Sequence, residues 1–184
     1  MSFHKLIIVS SPTDGHSRTS RVYVSDKTFK KNKFFYIKIK GCDASRVYLA
    51  ETYHTIEVGQ LGMNNVQQYD CQCELGEEVD CERFELGDVH DIESCIFWLR
   101  CIVYDHKPMR TRDKVILEKK LTKQLNYAVV EKQQLFKLSC VDKVFVVTAV
   151  SITKKITNKV YPHNGYVKGG RICDDTLVSL IIDY

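Results

Sequence analysis

No stretch of this chain approaches the roughly 18 uncharged apolar residues that a helix needs to cross a bilayer. The opening MSFHKLIIVSSPTD carries too short an apolar run for a secretory signal. Together these absences make a cytosolic location the expectation. Proline is scarce, with three residues, and glycine moderate, with nine, so collagenous or low-complexity character is excluded. An apolar fraction of 44% and a charged fraction of 27% are those of an ordinary globular protein rather than a disordered one. No internal repeat is present. The phosphate-binding pattern GxxxxGK[S/T] is missing, as are GxGxxG and the nucleophile elbow GxSxG. The expectation is a chain that binds rather than catalyses, with no cofactor of its own and no nucleotide hydrolysis. Cysteine is not scarce: there are eight, most within apolar or strand-like runs such as ESCIFWLRCIVY and KLSCVDKVFVV. Buried thiols act there as small hydrophobes rather than as a disulfide framework. A zinc site from Cys71, Cys73, Cys81 and His90 lacks the second closely spaced ligand pair that structural zinc uses, so no metal is expected.

What is present is an uneven charge. Residues 1–46 hold ten basic and three acidic side chains, residues 47–95 one and twelve, and residues 96–184 sixteen and eight. An acidic middle between two basic ends suits an acidic partner at one surface and leaves no uniformly basic face for nucleic acid. With 184 residues, one compact unit or two lobes of about 90 residues each are both reasonable.

Short strand-like runs fill the first half: residues 6–9, 21–25, 34–40, 46–51 and 78–81, with Phe35, Ile37 and Ile39 showing the period of two. Turns at Asp14-Gly15 and at residues 41–43 separate them, and Gly59, Gly62 and Gly76 mark places where the chain must bend or approach another backbone. These signals predict a small all-β lobe closed into a barrel. The polar, acidic ERFELGDVHDIE is the best lobe boundary. Beyond it, residues 94–105 read as a core strand broken at Lys107-Pro108. Residues 111–127 carry the clearest helical pattern, with Leu117, Leu121 and Leu125 on one stripe and Thr111 or Asp113 placed as a cap. A hairpin over residues 135–140 and 143–152, turning at Val141-Asp142, and a last strand over 176–182 complete an α+β second lobe. Residues 160–170 read as a surface loop.

The segment SPTDGHSRTSRVYVSDKTF resembles the Pro-Thr-Asp opening of the amino-terminal domain of the N-ethylmaleimide-sensitive fusion factor, with Pro12, Thr13, Asp14, Ser17, Thr19, Val24 and Phe29 at matching spacing. A second block, residues 58–81, keeps Gly59, Gln67, Gly76, Glu78 and Val79. A third, residues 112–152, is similar to the family's helix, strand, turn and strand, with Asp113, Phe136 and Val150 in step. The resemblance implies a double-psi β-barrel lobe followed by a small α/β lobe, placed here at residues 1–84 and 94–184 with a linker at 85–93.

In that family the domain precedes two ATPase modules of a homohexamer. It recruits the soluble SNARE attachment protein, and through it SNARE complexes, in vesicle fusion. ATP and magnesium belong to the ATPase modules of such a parent, and the location implied is cytoplasmic and peripheral to transport membranes, without insertion. The family's basic positions fall here on Gln68 and on His106-Lys107, with Arg110 and Arg112 as basic neighbours. Gln68 stands where the family has arginine, so Lys107 is the leading candidate for an acidic adaptor tail. Two alternatives stay open. One is the related domain of a segregase that binds ubiquitin-linked cofactors. The other is a nucleic-acid-binding β module using Lys30 to Lys40, against which stands the plainer account of a strand with one buried face and solvated lysines.

Overall fold

The computed structural model describes residues 3–29, 34–41, 45–101, 111–140, 143–154 and 169–182. Alternation decides the first lobe. In β1 (Phe3–Ser10), Leu6 and Ile8 point inward while Lys5 and Ile7 face outward. After a single helical turn, α1 (Asp14–Ser17), come β2 (Val22–Val24), β3 (Phe35–Lys40), β4 (Ser45–Thr52), β5 (Gln60–Met63), the short helix α2 (Asn65–Cys71) and β6 (Glu78–Phe84). Six strands close into a barrel in the order β1-β5-β2-β4-β3-β6. The pairs β1–β5 and β2–β4 are parallel and the remaining four antiparallel. Closure leaves none of these six strands at a free sheet edge. The interior is filled by Leu6, Ile8, Val22, Val24, Phe35, Ile37, Ile39, Leu61 and Met63 with their neighbours. Each fully buried aliphatic side chain of this kind contributes about 1.5–3 kcal/mol.

The lysines of β3 occupy the outer face, as period two requires. Lys38 pairs with Glu82 at 3.6 Å, and the Lys40 ammonium lies 5.2 Å from the centre of the Phe3 ring. Gly59 and Gly76 both have φ of +85° and make the bends expected of them.

A 3-10 turn, Leu86–Asp88, leads to the second lobe: β7 (Ile92–Cys101), α3 (Thr111–Leu125), β8 (Val129–Glu131), β9 (Leu135–Cys140), β10 (Lys143–Lys154), β11 (Gly169–Arg171) and β12 (Leu177–Ile182). Four strands form a sheet in the order β12-β7-β10-β9, with β12 parallel to β7, and β11 pairs with β8 in a small separate ladder. Leu117, Leu121 and Leu125 of α3 are buried against Phe97, Phe136, Leu138, Val147 and Leu180, so the leucine stripe is the core face of the helix. Glu118 of the same helix accepts the backbone N–H of Leu180 at 2.9 Å.

The architecture is α+β, a closed barrel followed by a helix-backed sheet, and four local expectations need correction. Residues 60–63 form a strand and 65–71 a helix, neither of which was foreseen. Apolar runs this short carry too little periodicity to reveal either element. β6 continues to Phe84 because Glu82, Arg83 and Phe84 pair with Lys38, Ile37 and Tyr36. Gly169 and Gly170 are not loop residues but buried members of β11. Their lack of a side chain lets β11 lie against Val130 and Ile92. The expected turn at Val141-Asp142 and residues 160–168 of the expected loop lie outside the described residues.

Candidate functional site

The three sequence blocks singled out above meet at one seam between the lobes. In the first block, Thr13 caps α1: its Oγ1 accepts the backbone N–H of His16 at 3.3 Å and lies 2.6 Å from His16 Nδ1. The His16 ring packs edge-on to Tyr23 and Tyr53, with centroids 4.7 and 4.5 Å away, which sets the path of residues 13–19 over the barrel.

The second block is tied to the first through a capping box. Asn64 Oδ1 accepts from the N–H groups of Val66 and Gln67, and Gln67 Oε1 accepts from Asn64 N. The spare amide groups reach across: Asn64 Nδ2 donates to Thr19 O at 3.1 Å and Gln67 Nε2 to Arg21 O at 2.9 Å. The matched Gln67 is therefore a joint between segments and not a contact residue.

The second block meets the third through Asp70, at the end of α2. One carboxylate oxygen accepts from Tyr48 OH at 2.9 Å and from Arg46 Nε at 3.2 Å, and the other accepts the backbone N–H of Leu135 in β9 at 3.0 Å. Arg46 extends to Glu131 at 3.2 Å, so the two lobes share one part-buried ionic network. Burial pushes the Asp70 carboxyl above its ordinary value, against the pull of Arg46, the Leu135 N–H and the Tyr48 hydroxyl. Burial also holds the Tyr48 hydroxyl well up. A further joint is Tyr36 OH, which donates to Tyr127 O at 2.7 Å.

The first and third blocks meet where charge collects. Gln124 of α3 donates to Ser20 Oγ at 3.1 Å and to the carbonyl of Lys137. The Lys137 ammonium is held below its ordinary value by burial and then by the positive charge of Arg18, with Asp14 opposing. Arg18 is exposed on the barrel side and Lys137 half-buried on the sheet side. Arg18 and Asp14 of the barrel lobe and Lys137 of the sheet lobe thus lie within electrostatic reach of one another.

Of the residues proposed from the sequence, Gln68 lies on α2, half-buried, with Nε2 donating to Met63 O at 3.0 Å, which commits its amide to the helix's own entry. Tyr69 beside it is 77% exposed. Arg112 falls in the first turn of α3. His106, Lys107 and Arg110 lie outside the described residues. Sequence reasoning missed Arg18 and Lys137. Arg18 sits inside the Pro-Thr-Asp block, and Lys137 alternates with inward Phe136 and Leu138, so each could be assigned outward. Nothing local tells that the two outward faces meet.

Among the described residues no group of three or more histidine, cysteine or acidic side chains is placed to hold a metal ion. No helix among them is long and apolar enough to cross a membrane. No family model and no curated protein sequence matches the chain.

Proposed function

We propose that this chain is a two-lobed adaptor-binding module whose interlobe seam receives an acidic protein segment. More particularly, we propose that it acts as the amino-terminal domain of a fusion-factor-type ATPase, recruiting a soluble SNARE attachment protein and its SNARE complex. The carrying observation is the convergence of the three resembling blocks at one seam, with Arg18 and Lys137 within electrostatic reach of each other. Of the residues matched for their spacing, Thr19 and Gln67 take part in joining the first and second blocks. Two parallel strand pairs in an otherwise antiparallel closed barrel support the double-psi topology. Arg18 and Lys137 supply the positive charge that Gln68 does not, and Lys107, Arg110 and Arg112 remain the proposed partners on the approach to α3. In this proposal ATP and magnesium are handled by other modules of the parent hexamer, and the location is cytoplasmic, peripheral to transport membranes.

Binding to a surface densely loaded with the chain tests the reading, because several weak contacts then act together. Lys107→Glu, Arg18→Glu and Lys137→Glu should each weaken capture of the attachment protein about tenfold or more at low salt, with the gap narrowing as ionic strength rises. Exposed Lys119→Glu and Lys120→Glu on α3 serve as controls and should bind as wild type. Equal binding by all five variants would overturn the seam as the docking surface.

The nucleic-acid alternative has less support. Lys38 and Lys40 are engaged with Glu82 and Phe3, while Phe35, Ile37 and Ile39 are buried in the barrel. Titration with single-stranded DNA at low salt should show almost no affinity.

A further inference from the structure

The outer face of α3 has no part in either core. The helix buries Leu117, Leu121 and Leu125 and turns Val115, Ile116, Lys119, Lys120 and Lys123 to solvent. At 3.6 residues per turn those five fall within an arc of about 140°, on the side opposite the leucine stripe. Val115 and Ile116 are 45% and 47% exposed, so nearly half of each branched aliphatic residue faces water. The three lysines lie within about one turn of each other, and among the described residues none pairs with a carboxylate. Neither acidic residue of the helix offsets them. Glu118 is turned to the sheet, where it accepts the Leu180 N–H at 2.9 Å and pairs with Lys114 at 3.8 Å. Asp113 stands in the first turn, about 9 Å along the axis before Lys119.

A basic residue in the last turn is favoured by the helix dipole, which accounts for Lys123. The dipole does not account for Lys119 and Lys120, nor for two aliphatic side chains left facing water on the same arc. A surface that suits both kinds of residue carries dense negative charge over a non-polar layer. We propose that the outer face of α3 docks the folded chain on anionic phospholipid bilayers. Headgroup phosphates meet the three ammonium groups, while Val115, Ile116 and the lysine stems reach the apolar region beneath. A single-stranded nucleic acid would suit the lysines but not Val115 and Ile116, and α3 has no aromatic residue on which a base could stack.

The contact is peripheral, because the leucine stripe stays packed on the sheet and is not released to the lipid. It uses none of the residues assigned to the acidic protein partner and does not rest on that reading. Each lysine near an anionic surface strengthens association about fivefold, so the three together contribute about a hundredfold at low salt. Salt separates the two contributions. At physiological ionic strength the attraction is screened beyond about 8 Å, whereas the aliphatic contact does not depend on charge.

The test floats the chain with vesicles of pure phosphatidylcholine and with vesicles in which about a third of the lipid is phosphatidylserine. Retention is expected on the second kind alone and should weaken as salt rises. A Lys119→Glu, Lys123→Glu double variant should bind at least about 25-fold more weakly at low salt. Val115→Ser with Ile116→Ser should weaken binding severalfold at physiological salt. Lys27→Glu with Lys132→Glu makes the same charge change at exposed positions outside α3 and should stay within about threefold of wild type. Circular dichroism checks that each variant is folded, and the wild-type comparison of the two vesicles needs no variant. The proposal is overturned by failure to bind the phosphatidylserine vesicles at low salt or by equal retention on both kinds. Equal loss in the two lysine double variants, a silent Val115→Ser, Ile116→Ser variant, or displacement from vesicles by single-stranded DNA at matched phosphate would overturn it as well.

Discussion

Asp70 shows how much one side chain decides. It receives two donors from the barrel and one from β9 while almost wholly buried. Asp70→Ala would leave Arg46, Tyr48 OH and the Leu135 N–H each without that partner. A loss of about 3 kcal/mol or more in urea unfolding is expected. The pH dependence has a definite sign. Burial raises the folded-state pKa above the ordinary aspartate value, about 3.9, so from there up to the raised value the folded chain holds more protons than the unfolded one. Stability due to this group therefore falls as pH rises through that interval and is level above it. Measured against Asp70→Asn, the wild-type advantage should shrink from about pH 4 upward. An advantage that grows instead would mean that the Arg46 ion pair outweighs burial.

At the scale of elements, β11 is where local sequence misled most. A Gly-Gly pair after Pro162, Asn164 and Gly165 has the composition of a loop. In the folded chain a Cβ on Gly169 would lie 2.1 Å from Val130 O, 2.8 Å from Val130 C and 2.9 Å from Glu131 Cα, all backbone atoms that cannot step aside. Gly169→Ala should destabilise the second lobe by about 3 kcal/mol or more, read by chemical denaturation. Gly15→Ala is the contrast, since its nearest neighbour would be Thr13 Oγ1 at 3.6 Å, and a change within about 0.5 kcal/mol is expected. α3 is the opposite case, because three leucines at helical spacing define its buried face with no help from elsewhere.

Across the whole molecule, the lobes are joined by Asp70 to Leu135, Arg46 to Glu131, Tyr36 to Tyr127 and Gln124 to Ser20. Joints this numerous should make unfolding a single event. The only tryptophan, Trp98, lies in β7 and reports the second lobe, while hydrogen exchange in β1 and β4 reports the barrel. The two urea midpoints should coincide in the wild-type chain and separate in an Asp70→Ala, Arg46→Ala double variant. Separate midpoints in the wild type would show that the seam couples the lobes only weakly.

Sequence by itself determined the elements whose signal is periodic: the alternating β3, the leucine stripe of α3, the β9 and β10 strands, and an all-β first half followed by an α+β second half. Side-chain period is a property of the local backbone, so a few residues suffice to read it. The order of strands around the expected barrel, the strand at Gln60–Met63 and the β11–β8 ladder depended on partners far along the chain. The same holds for the candidate site. An outward Arg18 and an outward Lys137 follow from local pattern, but their meeting requires Asp70 to take the Leu135 N–H and Gln124 to reach Ser20. Only the tertiary structure decides which outward faces become neighbours, because that choice is made by contacts between residues 65 and 104 positions apart.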